Sequence, residues 1–395
     1  MRVGLDARTL AAEQRSGVEQ YVINLVRALA GLGDAPETIA YTDRPVSDSG
    51  LAAIASSPPF RTSVLRARRG WLQIALPWRL WRDGVDLVHL PSTILPRLLP
   101  CPAVVTVHDL AWKRFPETYD PADLRMQEVA LRCAARAAHI ISGSETTARD
   151  LEQAGLPRDR ITVIPLGVSP VFSPAGPRLS GDAFPWLRQC PFRTPRACPE
   201  RNRGVLQGPR GAAEAMGGYL LYTGRLRPRK NLSRLIEAYR QVRDQVAAPP
   251  LVLSGGLTAH AGELQAQAAR LGLAEHVIFA GYVPDDLLPA LYRGATAFVY
   301  PSLYEGFALP VLEAMASGVP VVTSSTSATA EVAGEAALLV DPESTAEIAS
   351  GLVRLLSDQA LREDLARRGL ARSSRFTWER TARETTGVYR GILRQ

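Results

Sequence analysis

Cysteine is scarce: four in 395 residues, at 101, 133, 190 and 198, with no paired spacing of the kind that binds zinc. They read as reduced thiols of a cytosolic protein. No apolar run approaches the roughly 18 residues that a membrane-spanning helix needs. The opening MRVGLDART lacks an apolar core and a small-residue cleavage site, so it reads as a strand from residue 2 and not as a secretory signal. There is no short internal repeat. No stretch interleaves aromatic and basic residues as a nucleic-acid groove does, so nucleic acid is not an expected partner. Acidic residues are the minority, 39 against 46 Lys and Arg, for a net charge of +7 and a pI near 9.5. Two readings of that charge stand: an anionic partner (nucleotide, lipid surface or nucleic acid), or arginines scattered over the surface.

What is present is globular, with 46% hydrophobic and 22% charged residues. The length suggests two domains of roughly 150 to 200 residues each. Strand-like runs RVGLDA, TIAYT, VDLVHL, AVVTVH, HIIS and ITVIPLG alternate with helical patterns. In VEQYVINLVRALA, for example, Val18, Tyr21, Val22, Leu25, Val26 and Leu29 recur at helical period. YLLYTG, LVLSGG, HVIFAGY, AFVYPS, PVVTS and AALLV repeat the plan. Such alternation predicts α/β architecture with parallel sheets covered on both faces, here as two Rossmann-like domains. Expected boundaries are 1–175, a Pro/Gly/Arg-rich linker or mobile insertion over 176–217, 218–375, and a C-terminal helix over 376–395. That helix carries Trp378, Thr381, Thr385, Val388, Tyr389 and Leu393 along one stripe.

YEGFALPVLEAMASG, residues 304–318, holds two carboxylates, Glu305 and Glu313. AFVYPS before it reads as a buried strand. Gly306 permits a tight backbone, Pro310 falls in a first helical turn, and Gly318 ends the helix. The amides of Gly306, Phe307, Ala308 and Leu309 then lie at a helix N-terminus beyond the carboxyl end of a parallel strand, a ready anion site. Were the stretch helical throughout, the two carboxylates would be about 12 Å apart along the axis, beyond the roughly 5 to 9.5 Å of a glycosidase pair. They fit better at the two ends of a long ligand: sugar hydroxyls at one, ribose hydroxyls at the other, diphosphate between. A dipole-complementing glutamate plus a surface glutamate is the plainer alternative. Arg225 and Lys230, after YLLYTG, supply counter-charge to a diphosphate, or form a basic turn facing water.

GRLRPRKN followed by PSLYEGFALPVLEAMASGVPVV resembles family 4 of the retaining, nucleotide-sugar-dependent glycosyltransferases, which have the two-domain GT-B fold. The resemblance continues through AEVAGEAALLVDP, FTWERTARET, GLDAR, RSGVEQYVINL, VDLVHLPS, VTVHDLAWKRFPE and VIPLGVSPVF. It covers most of the chain except about 176–217.

The resemblance implies a donor on the C-terminal domain, an acceptor on the N-terminal domain, a C-terminal helix crossing back, and reaction in the cleft between domains. Arg225 and Lys230 would hold the diphosphate and help the leaving group. Glu313 would bind the ribose, and Glu305 the donor sugar beside the Gly306–Leu309 backbone. The GYVP turn, at Tyr282 and Val283, would lie near the base. His108 ends the strand PAVVTVHD at a carboxyl edge, where sites form; the resemblance would have it face the donor sugar, and the plainer alternative is a His–Asp pair that caps a turn. Gly17, the single glycine of its loop, would approach phosphate and acceptor. No metal or other cofactor is implied, and no DxD-type cluster is visible. Retention of anomeric configuration implies front-side displacement without a protein nucleophile. HDLAWKRFPE looks most like members using GDP-mannose or a related deoxysugar donor. The expected role is cell-surface polysaccharide synthesis, with a glycan or lipid-linked acceptor. The alternatives are an epimerase or phosphorylase of the same fold, and a non-catalytic nucleotide-sugar binder.

RARRGWLQIALPWRLWRDG, residues 66–84, mixes arginines with Trp71, Trp78 and Trp81. It reads either as an interfacial helix on anionic lipid, making a cytoplasmic protein peripheral on the inner membrane face, or as a connecting helix interrupted by Pro77.

Overall fold

The structure of the chain, a computed structural model, describes residues 1–11, 17–46, 48–55, 58–67, 70–91, 94–179, 218–256 and 259–394. It divides into two compact units, Met1–Ser169 with Phe376–Gln395, and Pro170–Arg375. The first unit is built on a parallel sheet of seven strands: β1 (Arg2–Asp6), β2 (Glu37–Thr42), β3 (Phe60–Val64), β4 (Leu87–Leu90), β5 (Ala103–Val107), β6 (His139–Ser142) and β7 (Ile161–Val163). Their order is β3-β2-β1-β4-β5-β6-β7. The central strands β4 and β5 are buried at every position, and apart from His89 and Thr106 they are apolar, as strands covered on both faces are.

β3, FRTSV, is the strand that apolar patterning does not announce. It lies at the sheet edge with only Phe60 and Ser63 buried. Helix Gly17–Ala30 packs its apolar stripe inward, as the period predicts.

The expected C-terminal helix runs Trp378–Ile392 and belongs to the first unit. Its Tyr389 joins Val3, Leu87, Val104, Ile141 and Ile164 in one buried cluster. The Tyr389 hydroxyl lies 2.7 Å from His89 Nδ1, and His89 Nε2 lies 2.8 Å from Thr106 Oγ1. Burial drives the His89 pKa down to about 3, so this imidazole is neutral. Gly167 lets the helix start close: a Cβ there would stand 2.1 Å from the Trp378 nitrogen.

The second unit has a parallel sheet of six strands: β8 (Tyr219–Thr223), β9 (Leu251–Ser254), β10 (Val277–Gly281), β11 (Ala295–Tyr300), β12 (Val321–Ser324) and β13 (Leu338–Val340). The order is β10-β9-β8-β11-β12-β13. The boundary expected at 175 falls at 169–170. Residues 170–179 join the second unit through main-chain bonds. Arg293 donates to the carbonyls of Ser173 and Pro177, and Leu179 N donates to Ala290 O. Phe172 packs edge-on against Tyr292. Most of the expected insertion, 180–217, lies outside the described residues.

Candidate functional site

In the second sheet the connections run outward in opposite directions from β8 and β11, which lie side by side. The loops leaving their carboxyl ends therefore part at a topological switch point, where open α/β sheets bind ligands. The loop after β8 ends in a 3-10 turn, Pro228–Lys230, and Asn231. The loop after β11 leads into helix Leu309–Ala316.

Glu305 joins the two loops. It is only 6% exposed. Its Oε1 accepts from Lys230 Nζ at 2.5 Å, Ser302 Oγ at 2.6 Å and the Tyr300 hydroxyl at 3.1 Å. Its Oε2 accepts from Arg229 Nη1 at 3.1 Å. Burial alone would raise this carboxyl; Lys230 and Arg229 overrule it and hold the pKa at about 2. Lys230 is buried as well and also donates to the Tyr300 hydroxyl at 2.7 Å. Arg229 donates a further bond to Tyr304 O at 2.7 Å. Asn231, in the left-handed region at φ 62°, donates from Nδ2 to Pro301 O and Pro342 O.

Of the two cations expected near a diphosphate, Lys230 is the partner of Glu305, whereas the Arg225 side chain is exposed and makes no ion pair among the described residues. Arg229, which the sequence reading passed over, supplies a second, half-buried cation. The tight backbone expected at Gly306 falls instead on Ala308, with φ 74° at the N-cap. A residue with a Cβ held in that region marks local strain at a site.

Gly306, Phe307 and Ala308 are buried beside Glu305, and Leu309 opens a helix of eight residues with Pro310 in its first turn. In its first turn Pro310 has no N–H and Val311 N donates to Ala308 O at 3.1 Å; the positive end of the helix dipole faces this edge. Gly318, at φ 73°, follows the helix's end. Because the stretch is helical only from Leu309, a single axial rise does not separate the two glutamates.

Glu313 lies inside that helix and is half-buried. Burial pushes its pKa up to about 7, countered by a hydrogen bond from the Tyr292 hydroxyl at 2.8 Å and reinforced by the nearby Asp285 charge. Tyr292 also meets Thr223 Oγ1, at the end of β8, at 2.6 Å. The sequence reading missed this tyrosine, since a buried aromatic reads as core. Asp285 belongs to the turn after β10, where the exposed Tyr282 donates to Asp285 Oδ1 at 3.2 Å and Val283 is buried. Two carboxylates of opposite character thus share one sheet edge: Glu305 fixed as an anion among cations, Glu313 poised near neutrality. Among the described residues no three His, Cys, Asp or Glu side chains gather as a metal cluster.

In the first unit the switch point lies between β1 and β4. His108 follows β5, and its Nε2 lies 3.2 Å from Pro91 O, just beyond β4. The Tyr21 ring meets its imidazole edge-on at 5.1 Å. Burial lowers the His108 pKa, partly offset by Asp109. Gly17 opens helix Gly17–Ala30, and a Cβ there would meet nothing within 4 Å. Residues 12–16 before it are outside the described residues.

A family model described as Glycosyl transferases group 1 matches residues 211–372, and one described as Glycosyltransferase Family 4 matches residues 15–172. The O-antigen chain mannosyltransferase B of Escherichia coli is 34% identical over 319 residues, 79% of this chain and 76% of that protein. Among solved structures, a sucrose-phosphate synthase from Thermosynechococcus elongatus aligns with a TM-score of 0.72 at 22% identity, covering 99% of this chain and 98% of that one. Anabaena HepE in complex with UDP-glucose aligns with a TM-score of 0.69 at 21% identity, covering 98% and 99%. At such identities the two structures speak to fold alone.

Proposed function

Since this chain belongs to the family 4 glycosyltransferases and has their GT-B fold, we propose that it transfers a hexose from a nucleoside diphosphate sugar to a glycan or lipid-linked acceptor, with retention of anomeric configuration. GDP-mannose is the first candidate donor, supported by the HDLAWKRFPE stretch and by the mannosyltransferase name of the E. coli relative. The same relative's name supports a place in polysaccharide synthesis.

The observation that carries the reading is the Glu305–Lys230–Arg229 cluster beside a helix N-terminus, with Glu313 farther along the same helix. In this proposal the diphosphate lies beside the Gly306–Leu309 backbone at the positive end of the helix, with Lys230, Arg229 and the exposed Arg225 neutralising it. Glu305 accepts a donor sugar hydroxyl at Oε2 and keeps the two cations oriented. Glu313 accepts ribose hydroxyls, and the Tyr282–Val283 turn flanks the base. His108 and Gly17 keep the roles carried over from the resemblance, on the acceptor-binding unit. Charge grows on the departing diphosphate in the transition state, so fixed cations and amides stabilise it more than the ground state.

A thermal-shift screen against UDP, GDP, ADP and TDP sugars tests the donor site. No shift with any of them sinks the proposal. NMR of the released sugar from an α-linked donor tests retention, and a β product at first appearance refutes it. Donor hydrolysis without acceptor separates a catalyst from a non-catalytic binder.

A further inference from the structure

The stretch 66–84 resolves into a turn of π-helix, Trp71–Ala75, and an α-helix, Leu76–Arg82, with Pro77 harmless in its first turn. One side is core: Trp71, Leu76 and Leu80 are buried. The other side is apolar too, and faces water. Ile74, Trp78 and Trp81 are 72%, 53% and 70% exposed. Spaced i, i+4, i+7, they share one face. Leu98, 81% exposed, rides on a loop tied to this turn, where Arg97 N donates to Gln73 Oε1 at 2.9 Å.

Cations fringe the stripe. The Arg82 guanidinium lies 5.2 Å over the Trp78 ring. Arg66 and Arg97 are exposed. Asp83, the single acid of the stretch, is held inward by Arg79 at 2.9 Å and by the Tyr41 hydroxyl at 2.8 Å. Against it the stretch carries five arginines.

We propose that this stripe docks the protein on an anionic lipid bilayer, with Trp78 and Trp81 at headgroup depth and the arginines on lipid phosphates. Indole suits that depth because its ring is apolar and its N–H is polar. Contact is interfacial, because no helix among the described residues is long and apolar enough to cross a membrane. A second copy fits less well, since a two-fold contact would bring the same arginine fringe against itself. The inference uses no residue of the donor site, so it stands or falls apart from the proposed function.

The test is co-sedimentation of the full chain with vesicles of phosphatidylglycerol and phosphatidylcholine, and with pure phosphatidylcholine. The mixed vesicles are expected to bind the protein and to release it as salt rises. Trp78→Ser with Trp81→Ser should weaken binding by about tenfold or more while leaving thermal unfolding and donor hydrolysis in solution unchanged. Arg82→Gln with Arg97→Gln should weaken binding to the mixed vesicles by roughly fivefold per arginine. Equal binding to both vesicles, no binding at low salt, or binding indifferent to the double tryptophan substitution overturns the proposal. So does a dimer in sedimentation velocity that the same substitution dissolves.

Discussion

Glu305→Gln keeps the shape of the side chain and removes its charge. In the wild type the carboxyl is held at about 2 against an ordinary 4.5, because Lys230 and Arg229 outweigh its burial. At 1.36 kcal/mol per pKa unit, that depression is worth about 3 kcal/mol to the folded second unit. A carboxyl whose folded pKa lies below its unfolded one stabilises the fold above the unfolded value. Its contribution is complete above about pH 4.5 and fades as pH falls toward 2. Glutamine abolishes the contribution and leaves the buried Lys230 and the half-buried Arg229 without their anion. With a urea m-value of about 2–3 kcal/mol/M, the midpoint should fall by about 1–1.5 M at neutral pH. Five tryptophans, at 71, 78, 81, 112 and 378, lie in the first unit, so fluorescence would report mainly the wrong half. Hydrogen exchange of β8 and β11 peptides across a urea series reads the correct one. An unchanged midpoint at neutral pH refutes the reasoning. So does a gap between wild type and variant that does not close as the medium is acidified.

Lys230→Ala should lower kcat by about 100-fold or more in steady-state kinetics, since it removes charge aimed at the leaving diphosphate. It should also soften the second unit, whereas the exposed Arg225→Ala should leave stability untouched; a near-normal kcat for Lys230→Ala ends its assigned role. Nucleotide affinity measured by calorimetry should rise with pH through about 7 as Glu313 ionises. Tyr292→Phe, which removes the bond holding that carboxyl down, should move the rise to higher pH; an unmoved midpoint refutes the coupling. Asn231→Ala loses two buried hydrogen bonds and forces alanine to φ 62°, for a loss of about 2–4 kcal/mol in urea unfolding. Asn231→Gly should recover about 1 kcal/mol of that, and equal losses for both would refute the strain component.

Most strands of both sheets were legible because a parallel strand covered on both faces is a run of apolar residues, as in AVVTV and YLLYT. β3 was not, since an edge strand need bury only one or two positions. The second unit's true start escaped because residues 170–179 are held by carbonyl groups, which every residue has. In the site, the paired glutamates and the helix start were visible in spacing and punctuation. RLRPRK offers three arginines, and spacing does not say which turns inward; the 3-10 turn at Pro228–Lys230 selects Arg229. Tyr292 and Tyr300 look like core aromatics in sequence, and it is their hydroxyls that tie each glutamate to its sheet. The strained residue was expected at a glycine, yet it is Ala308.

The helix Trp378–Ile392 covers a sheet that the ribosome finishes before it begins the second unit. A nascent chain extended through β7 leaves Val3, Leu87, Val104, Ile141 and Ile164 without their lid, and His89 without the hydroxyl that satisfies it. Pro170–Arg375 must be translated in the meantime, about 10–40 s at roughly 5–20 residues per second. Throughout that interval the first sheet is a sticky half-product, and a peptide matching the helix, supplied in trans during translation, would shorten it.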